Sequence, residues 1–397
     1  MKTVKPWYVA QMSIGVVQWV AIALLLAPLI IERTGSGALM GSVMSLIGIF
    51  GISAPLIGWL ADKYAIHRQL QKVALFSHLL SLILLYFATT QSYMYLLVGL
   101  SIGIGTVSQL VLNPTFVLNA LPAKLHSRGL SRLFQFQFLG IVIAGSLLGL
   151  VSLFNWTSEQ QLQLQLLMAL VSISIVTVFI APPPKISQSK ELEQAADETN
   201  KEETLTPKNK AAFCAFLVTI FLSMFTSTNL METGPLIIKQ VFSVDLGHSA
   251  FGLAISAILT IILLEPAGRW ADKSGPYVVW ITGLSCYAIT AIGLCLAVGT
   301  QIPSALPVLL IVLLMQAISW FDMVIPAIAE QLSPYSPALT QGILLFAMSF
   351  GFGSGALIAG ELIDSDGFVA IVEFCAMSML ITLAIAALTL GLKRRSR

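Results

Sequence analysis

The chain has 397 residues, of which 57% are hydrophobic and only 10% charged, and its mean hydropathy is +0.88, values that exclude a water-soluble globular domain. The net charge of +2 hides a strong segregation, because almost every charged residue falls in a short gap between long apolar runs. Lipid is the expected solvent and nucleic acid is not an expected partner.

In chain order, the first apolar run extends from Trp7 to Ile31 behind Lys2 and Lys5. It is longer than a signal-peptide core and has no small-x-small cleavage site after it, so it is expected to persist as a transmembrane helix. Further apolar stretches recur at 38–60, 73–90, 92–118, 133–155, 162–181, 211–238, 249–268, 277–299, 304–329, 339–363 and 367–392. Each can cross a ~30 Å hydrocarbon core as a helix. Continuous apolarity over such lengths excludes the alternating strands of a β-barrel. An all-α membrane protein with twelve transmembrane helices follows.

Lys and Arg set the orientation. In a twelve-span arrangement only Arg33 and Lys239 fall on one side, and the other nineteen of the 21 basic residues fall on the opposite side. Both termini are therefore expected in the cytoplasm of a multi-pass protein of the cell membrane, the inner membrane in a bacterium. One span more or fewer would scatter these charges over both sides. Cys214, Cys286, Cys295 and Cys375 lie inside spans without CxxC spacing, so neither a disulfide framework nor a metal site is expected. His78 stands alone in a span, and the packed core histidine is the favoured reading for it.

After Pro182-Pro183-Pro184 comes the one long polar segment, whose composition cannot bury a core. Residues 182–210 are read as a cytoplasmic linker between two six-helix bundles, 1–181 and 211–397. A duplication is expected in such an arrangement, and one is present. Gly58-Trp59-Leu60-Ala61-Asp62-Lys63-Tyr64-Ala65 follows the second span, and Gly268-Arg269-Trp270-Ala271-Asp272-Lys273-Ser274-Gly275 follows the eighth. Gly, Ala, Asp and Lys recur in register at equivalent positions of the two halves.

With this repeat the chain resembles the major facilitator superfamily, whose loop signature is roughly G-x-x-x-D-(R/K)-x-G-(R/K)-(R/K) between helices two and three, often echoed between eight and nine. The first copy departs from it at Ala65, where glycine is usual, and at Ile66, with charge resuming at His67 and Arg68; the second keeps Gly275 but continues with Pro276. The resemblance implies two pseudo-symmetric six-helix bundles. It also implies a cytoplasmic latch formed by Gly58, Asp62, Lys63, Arg68, Gly268, Asp272, Lys273 and Gly275, in which each Asp accepts from a neighbouring helix N-terminus. A plain solvated turn is the other reading.

Charged side chains inside spans are costly and are the first candidates for function. Glu232 precedes Gly234-Pro235, a pair expected to break the seventh helix, and shares a face with Thr226, Asn229 and Thr233. Asp322 lies four residues before Pro326 on a stripe with Ser319 and Gln316. Either acid is a candidate for taking up and releasing a proton as a cavity opens to each side, or for satisfying backbone groups freed by the proline. For Glu265, Glu330 and Glu373 the structural role is favoured.

The amino-terminal half carries amides instead: Gln11 and Gln18 on helix one, Gln109 and Asn113 on helix four, Gln135 and Gln137 on helix five. The resemblance places helices one, four, seven and ten around a cavity, so Gln11, Gln18, Gln109, Asn113, Gln135 and Asn229 are candidates for substrate contact, with interhelical packing as the alternative. It places helices two, five, eight and eleven between the halves, where the glycines of helices two, five and eleven are read as packing positions.

The resemblance implies alternating access to a central cavity. No Lys or Arg lies deep in a span to balance a buried anion. Proton-coupled efflux of a small polar or amphipathic metabolite, with carboxylate siderophores and drugs among the candidates, is the first expectation. A proton-coupled importer of nucleosides or sugars and a non-transporting sensor or assembly factor remain open. No nucleotide-binding loop, catalytic triad or metal cluster appears, so neither an enzyme nor a cofactor is expected. The expected partners are a small-molecule substrate, protons and membrane lipid, with the chain as a monomer.

Overall fold

A computed structural model of the chain describes residues 5–120, 126–154, 159–186, 210–333 and 337–395. The expected linker falls largely on 187–209, outside the described residues. Twelve helices are long and apolar enough to cross a membrane. They are numbered here α1 (Pro6–Thr34), α2 (Gly37–Ala61), α3 (His67–Phe87), α4 (Ser92–Val117), α5 (Arg132–Leu153), α6 (Glu159–Ile180), α7 (Lys210–Met231), α8 (Leu246–Ala271), α9 (Pro276–Ala297), α10 (Ala305–Ala329), α11 (Ile343–Asp366) and α12 (Phe368–Leu392). The helix carrying α7 ends at Glu232, and a second helical segment, Gly234–Phe242, starts after the one intervening residue Thr233. Pro235 stands at the head of that segment, where its missing N–H costs nothing.

Each half has its own apolar core. One joins α1 to α6, and the other joins α7 to α12. The first core extends across the boundary onto Leu236, Ala250, Leu253, Ala257 and Ala356, so the halves are joined by apolar contact near the face opposite the termini. Along the boundary α2 packs on α11 and α5 packs on α8.

Two glycine pairs set how closely helices cross. A Cβ on Gly15 would come within 2.0 Å of the Gln137 carbonyl oxygen, and one on Gly140 within 2.5 Å of the Met12 oxygen, so α1 and α5 touch backbone to backbone. Gly41 and Gly360 do the same for α2 and α11: a Cβ on Gly41 would meet the Ala356 oxygen at 2.5 Å, and one on Gly360 the Gly37 oxygen at 2.5 Å. Gly145, Gly149 and Gly353 also face the other half, whereas Gly351 and Gly355 press on the backbone of α7 within their own half. Those last two therefore serve packing inside a bundle, away from the boundary where the sequence reading puts them.

Among the described residues, the hydrogen bonds across the boundary lie at one end. At the face opposite the termini, Asp364 at the end of α11 accepts from the backbone N–H of Gly37 at 2.5 Å and of Ala38 at 2.8 Å. These are two of the free donors at the start of α2, where the helix dipole favours a carboxylate. Toward the termini, the segment Ala54–Tyr64 that ends α2 packs on α3 and α4 of its own half, not along α11. Among the described residues, α2 and α11 thus meet at one face and part toward the other. Asp364→Ala is expected to weaken the closed face by about 1 kcal/mol. The check is faster maleimide labelling of a cysteine placed at Ser45, which is buried in the α2–α11 seam.

The duplicated loop shows the pseudo-symmetry directly. Ala65 and Gly275, equivalent in the repeat, both have positive φ, +50° and +90°. Only glycine adopts that region freely, and an alanine there is strained by ~1–2 kcal/mol. Ala65→Gly is expected to stabilise the protein by about 1 kcal/mol, and Gly275→Ala to destabilise it, as read from thermal unfolding in detergent.

Candidate functional site

Where the halves part, they enclose a cavity of about 330 Å³, within the ~300–1,000 Å³ typical of small-molecule sites. Its walls come from α1 (Gln18, Trp19), α2 (Ile47, Gly48, Gly51, Ala54), α4 (Thr106, Val107, Leu110, Val111) and α5 (Phe134, Gln137) on one side. Facing them are α7 (Met224, Ser227, Met231), α10 (Ile318, Asp322) and α11 (Leu345, Met348, Ser349, Phe352). Among the described residues the lining is aromatic and sulfur-rich, with a few polar groups and a single carboxylate.

That carboxylate is Asp322, whose Oδ1 is buried without a hydrogen-bond partner. The helix runs through Pro326, and the carbonyl left without its usual donor there is the backbone C=O of Asp322 itself. Oδ1 makes no hydrogen bond to that carbonyl. Glu232 is helical in backbone, but its side chain lies outside those described, as do the side chains of Glu330, Asp62 and Asp272. Asn229 is buried beside the cavity helices, donating to the Phe225 carbonyl at 3.1 Å with Oδ1 unpaired.

The amides of the amino-terminal half form a connected core. Gln71 donates to Asn113 at 2.7 Å, Asn113 to Gln11 at 2.8 Å, and Gln11 to Gln137 at 2.9 Å. Gln137 reaches the cavity wall, so this chain links α3, α4, α1 and α5 to it. A second cluster joins Ser13, Gln109, His78 and Thr106. Gln11, Gln109 and Asn113 are fully buried and satisfied by one another and by helix partners, while Gln18 lines the cavity. Gln135 accepts from Arg132 near the start of α5 and stands apart from the cavity lining. In the other half Gln316 donates to Ser256 on α8, and Thr226 to Ser378 on α12.

Sequence reasoning missed Ser13, Gln71, Ser227, Ser349 and Asp364. Gln71 carried a usable signal, since it lies seven residues before His78 on the same helical face. The others are small or terminal residues whose role depends on the partner helix.

Around the duplicated loop, Gly58 and Gly268 have room for a Cβ, with Val111 and Met323 of their own halves at 3.8 and 3.9 Å. The Lys63 ammonium lies 4.4 Å from the Trp59 ring centroid and Arg68 buries its Nε. Lys273 is exposed. Arg269 and Glu265 form an exposed i,i+4 pair. Glu373 is exposed on α12, away from the cavity.

Comparison with known proteins bears on this architecture. Among solved structures, the nucleoside transporter NupG in a mutant form is similar with a TM-score of 0.73 at 16% identity, covering 98% of each chain. A D-xylose-proton symporter aligns with a TM-score of 0.67 at 14% identity over 96% of this chain and 95% of its own. The human organic anion transporter MFSD10 (TETRAN) aligns with 0.61 at 14% over 96% and 97%. At such identities these likenesses bear on fold alone. No curated protein matches the sequence. The sequence itself matches the Major Facilitator Superfamily over residues 7–328 and again over 216–397, and with twelve membrane-crossing helices in two halves around one cavity, the chain belongs to the major facilitator superfamily of transporters.

Proposed function

We propose that the chain couples proton movement to the passage of a small neutral polar molecule, of nucleoside or sugar size, through the central cavity by alternating access. The observation that carries this reading is Asp322, the one carboxylate of the described lining, unpartnered and set between two halves that part toward the termini. A lone charge is costly in apolar surroundings, so this group is suited to carry a proton through the closed states and exchange it in the open ones. The absence of Lys and Arg from the described lining disfavours an anionic substrate. The structural neighbours include transporters named for neutral solutes, a nucleoside and D-xylose, and one named for organic anions. With nineteen basic residues on the termini side, that side is assigned to the cytoplasm, and the conformation described is then open inward.

Efflux of an amphipathic compound is a second reading, favoured by the apolar and aromatic lining of Trp19, Phe134, Phe352, Met224, Met231 and Met348. Counterflow in proteoliposomes separates the two. Vesicles preloaded with unlabelled uridine or D-xylose are expected to accumulate the labelled compound transiently. Counterflow of hydrophobic drugs alone favours the second reading, and counterflow of nothing in the panel contradicts transport.

A further inference from the structure

One hydroxyl of the cavity wall is held in an unusual way. Thr106 is 4% exposed and lines the cavity. Other helical threonines of this chain, such as Thr115, Thr219 and Thr382, donate to the carbonyl four residues back. The bond at Thr106 goes instead to a side chain, with Oγ1 lying 3.1 Å from Nε2 of the fully buried His78 on α3.

Across the imidazole ring, Nδ1 lies 3.1 Å from the amide nitrogen of Gln109 and 3.2 Å from the Ser13 hydroxyl oxygen. An amide NH₂ only donates, so Nδ1 is the acceptor and the proton of the neutral ring sits on Nε2. The Ser13 hydroxyl, whose one proton is shared between Gln109 Oε1 at 2.9 Å and the Ala10 carbonyl at 2.8 Å, faces the amide oxygen and leaves the amide nitrogen toward the ring. The ring proton is therefore given to a lone pair of Thr106 Oγ1. The hydroxyl hydrogen of Thr106 is left over, and among the described residues no protein acceptor is assigned to it.

We infer that His78 is a positioning residue that holds Thr106 as a hydrogen-bond donor aimed into the cavity, so that the carried molecule presents an acceptor oxygen to that wall. The inference rests on the cavity being the transport site. Asp322 on the facing half supplies the complementary acceptor. A neutral solute with a hydroxyl, ether or carbonyl oxygen at one edge and a donor at the other engages both halves at once. A hydrocarbon or a bare cation has nothing to offer Thr106, and this separates the substrate class from that of a hydrophobic-drug pump.

Two measurements test this, and the first does not depend on transport. The chain has four histidines, so ¹⁵N-histidine spectra of the full-length protein in nanodiscs are simple, and the His78 signals are those lost in His78→Gln. The expected result is the Nε2–H tautomer, with the Nε2 resonance displaced in Thr106→Val and restored in Thr106→Ser. A proton on Nδ1, or no displacement in Thr106→Val, overturns the inference. The second measurement is counterflow of uridine and its 2′-, 3′- and 5′-deoxy analogues. Wild type is expected to bind one analogue about tenfold more weakly than uridine, the worth of one hydrogen bond. Thr106→Val should lose that discrimination through KM with maximal rate kept, as should His78→Leu, while His78→Gln, which keeps a donor near Nε2, should retain part of it. Discrimination unchanged in Thr106→Val overturns the assignment of Thr106. Absence of uridine counterflow in wild type counts against the transport reading, and the spectra still decide the hydrogen bond.

Discussion

Asp322→Asn is expected to leave solute exchange intact and to cut gradient-driven accumulation by about a hundredfold, the lower end of what a positioned proton-transfer group contributes. The amide is nearly isosteric and keeps an acceptor oxygen in the cavity, so binding survives. What it loses is the ability to take up a proton on one side and release it on the other. Because Oδ1 has no partner among the described residues, the substitution breaks no hydrogen bond at that atom, and the folded protein should unfold at nearly the same temperature. Counterflow in the absence of a pH gradient, set beside uptake driven by one, reads the two activities separately. Loss of both activities together would show that solute binding requires the carboxylate itself and leave proton coupling through Asp322 without support.

The second large effect is expected at the closed face. Gly41→Val or Gly360→Val should hold the protein away from the conformation described here and depress transport as strongly as Asp322→Asn. A Cβ at either position falls within 3 Å of backbone atoms of the other half, and backbone cannot move aside as a side-chain tip can. Overpacking of this kind costs ~1–3 kcal/mol. Applied to one of two conformations, it shifts their ratio by roughly 5–150-fold. The same substitution at Gly391, which has open space around it, should change little. Labelling of a cysteine at Ser45 from the outer side should rise in the Gly360→Val protein and stay low in the Gly391→Val protein.

Much of the fold could be read from the sequence because lipid imposes two strong constraints: span length and the sidedness of Lys and Arg. The break of the seventh helix followed from Gly234-Pro235 alone, and the pseudo-symmetry from the loops at 58–65 and 268–275. The structure adds what a one-dimensional pattern cannot contain, namely which helix each polar face meets. Gln11, Gln109 and Asn113 occupy faces that look like a cavity stripe, yet Gln11 and Asn113 are turned onto each other, Gln71 and Gln137, and Gln109 onto Ser13 and His78, since an amide in an apolar bundle seeks a polar partner as readily as a substrate. Gln18, two turns along α1 from Gln11, reaches the cavity. Asp364 gave no signal, because its role depends on the start of α2, 327 positions away in sequence. The direction of transport was not legible at all, since the same carboxylate and cavity serve import and export.

Proton movement coupled to solute is the central claim, and it is tested most directly in proteoliposomes loaded with a pH-sensitive dye and exposed to uridine or D-xylose without any imposed gradient. Acidification of the lumen in step with solute entry, absent in Asp322→Asn vesicles, is the result predicted for a symporter. Solute entry with no change in luminal pH would contradict proton coupling and leave a facilitator on this fold.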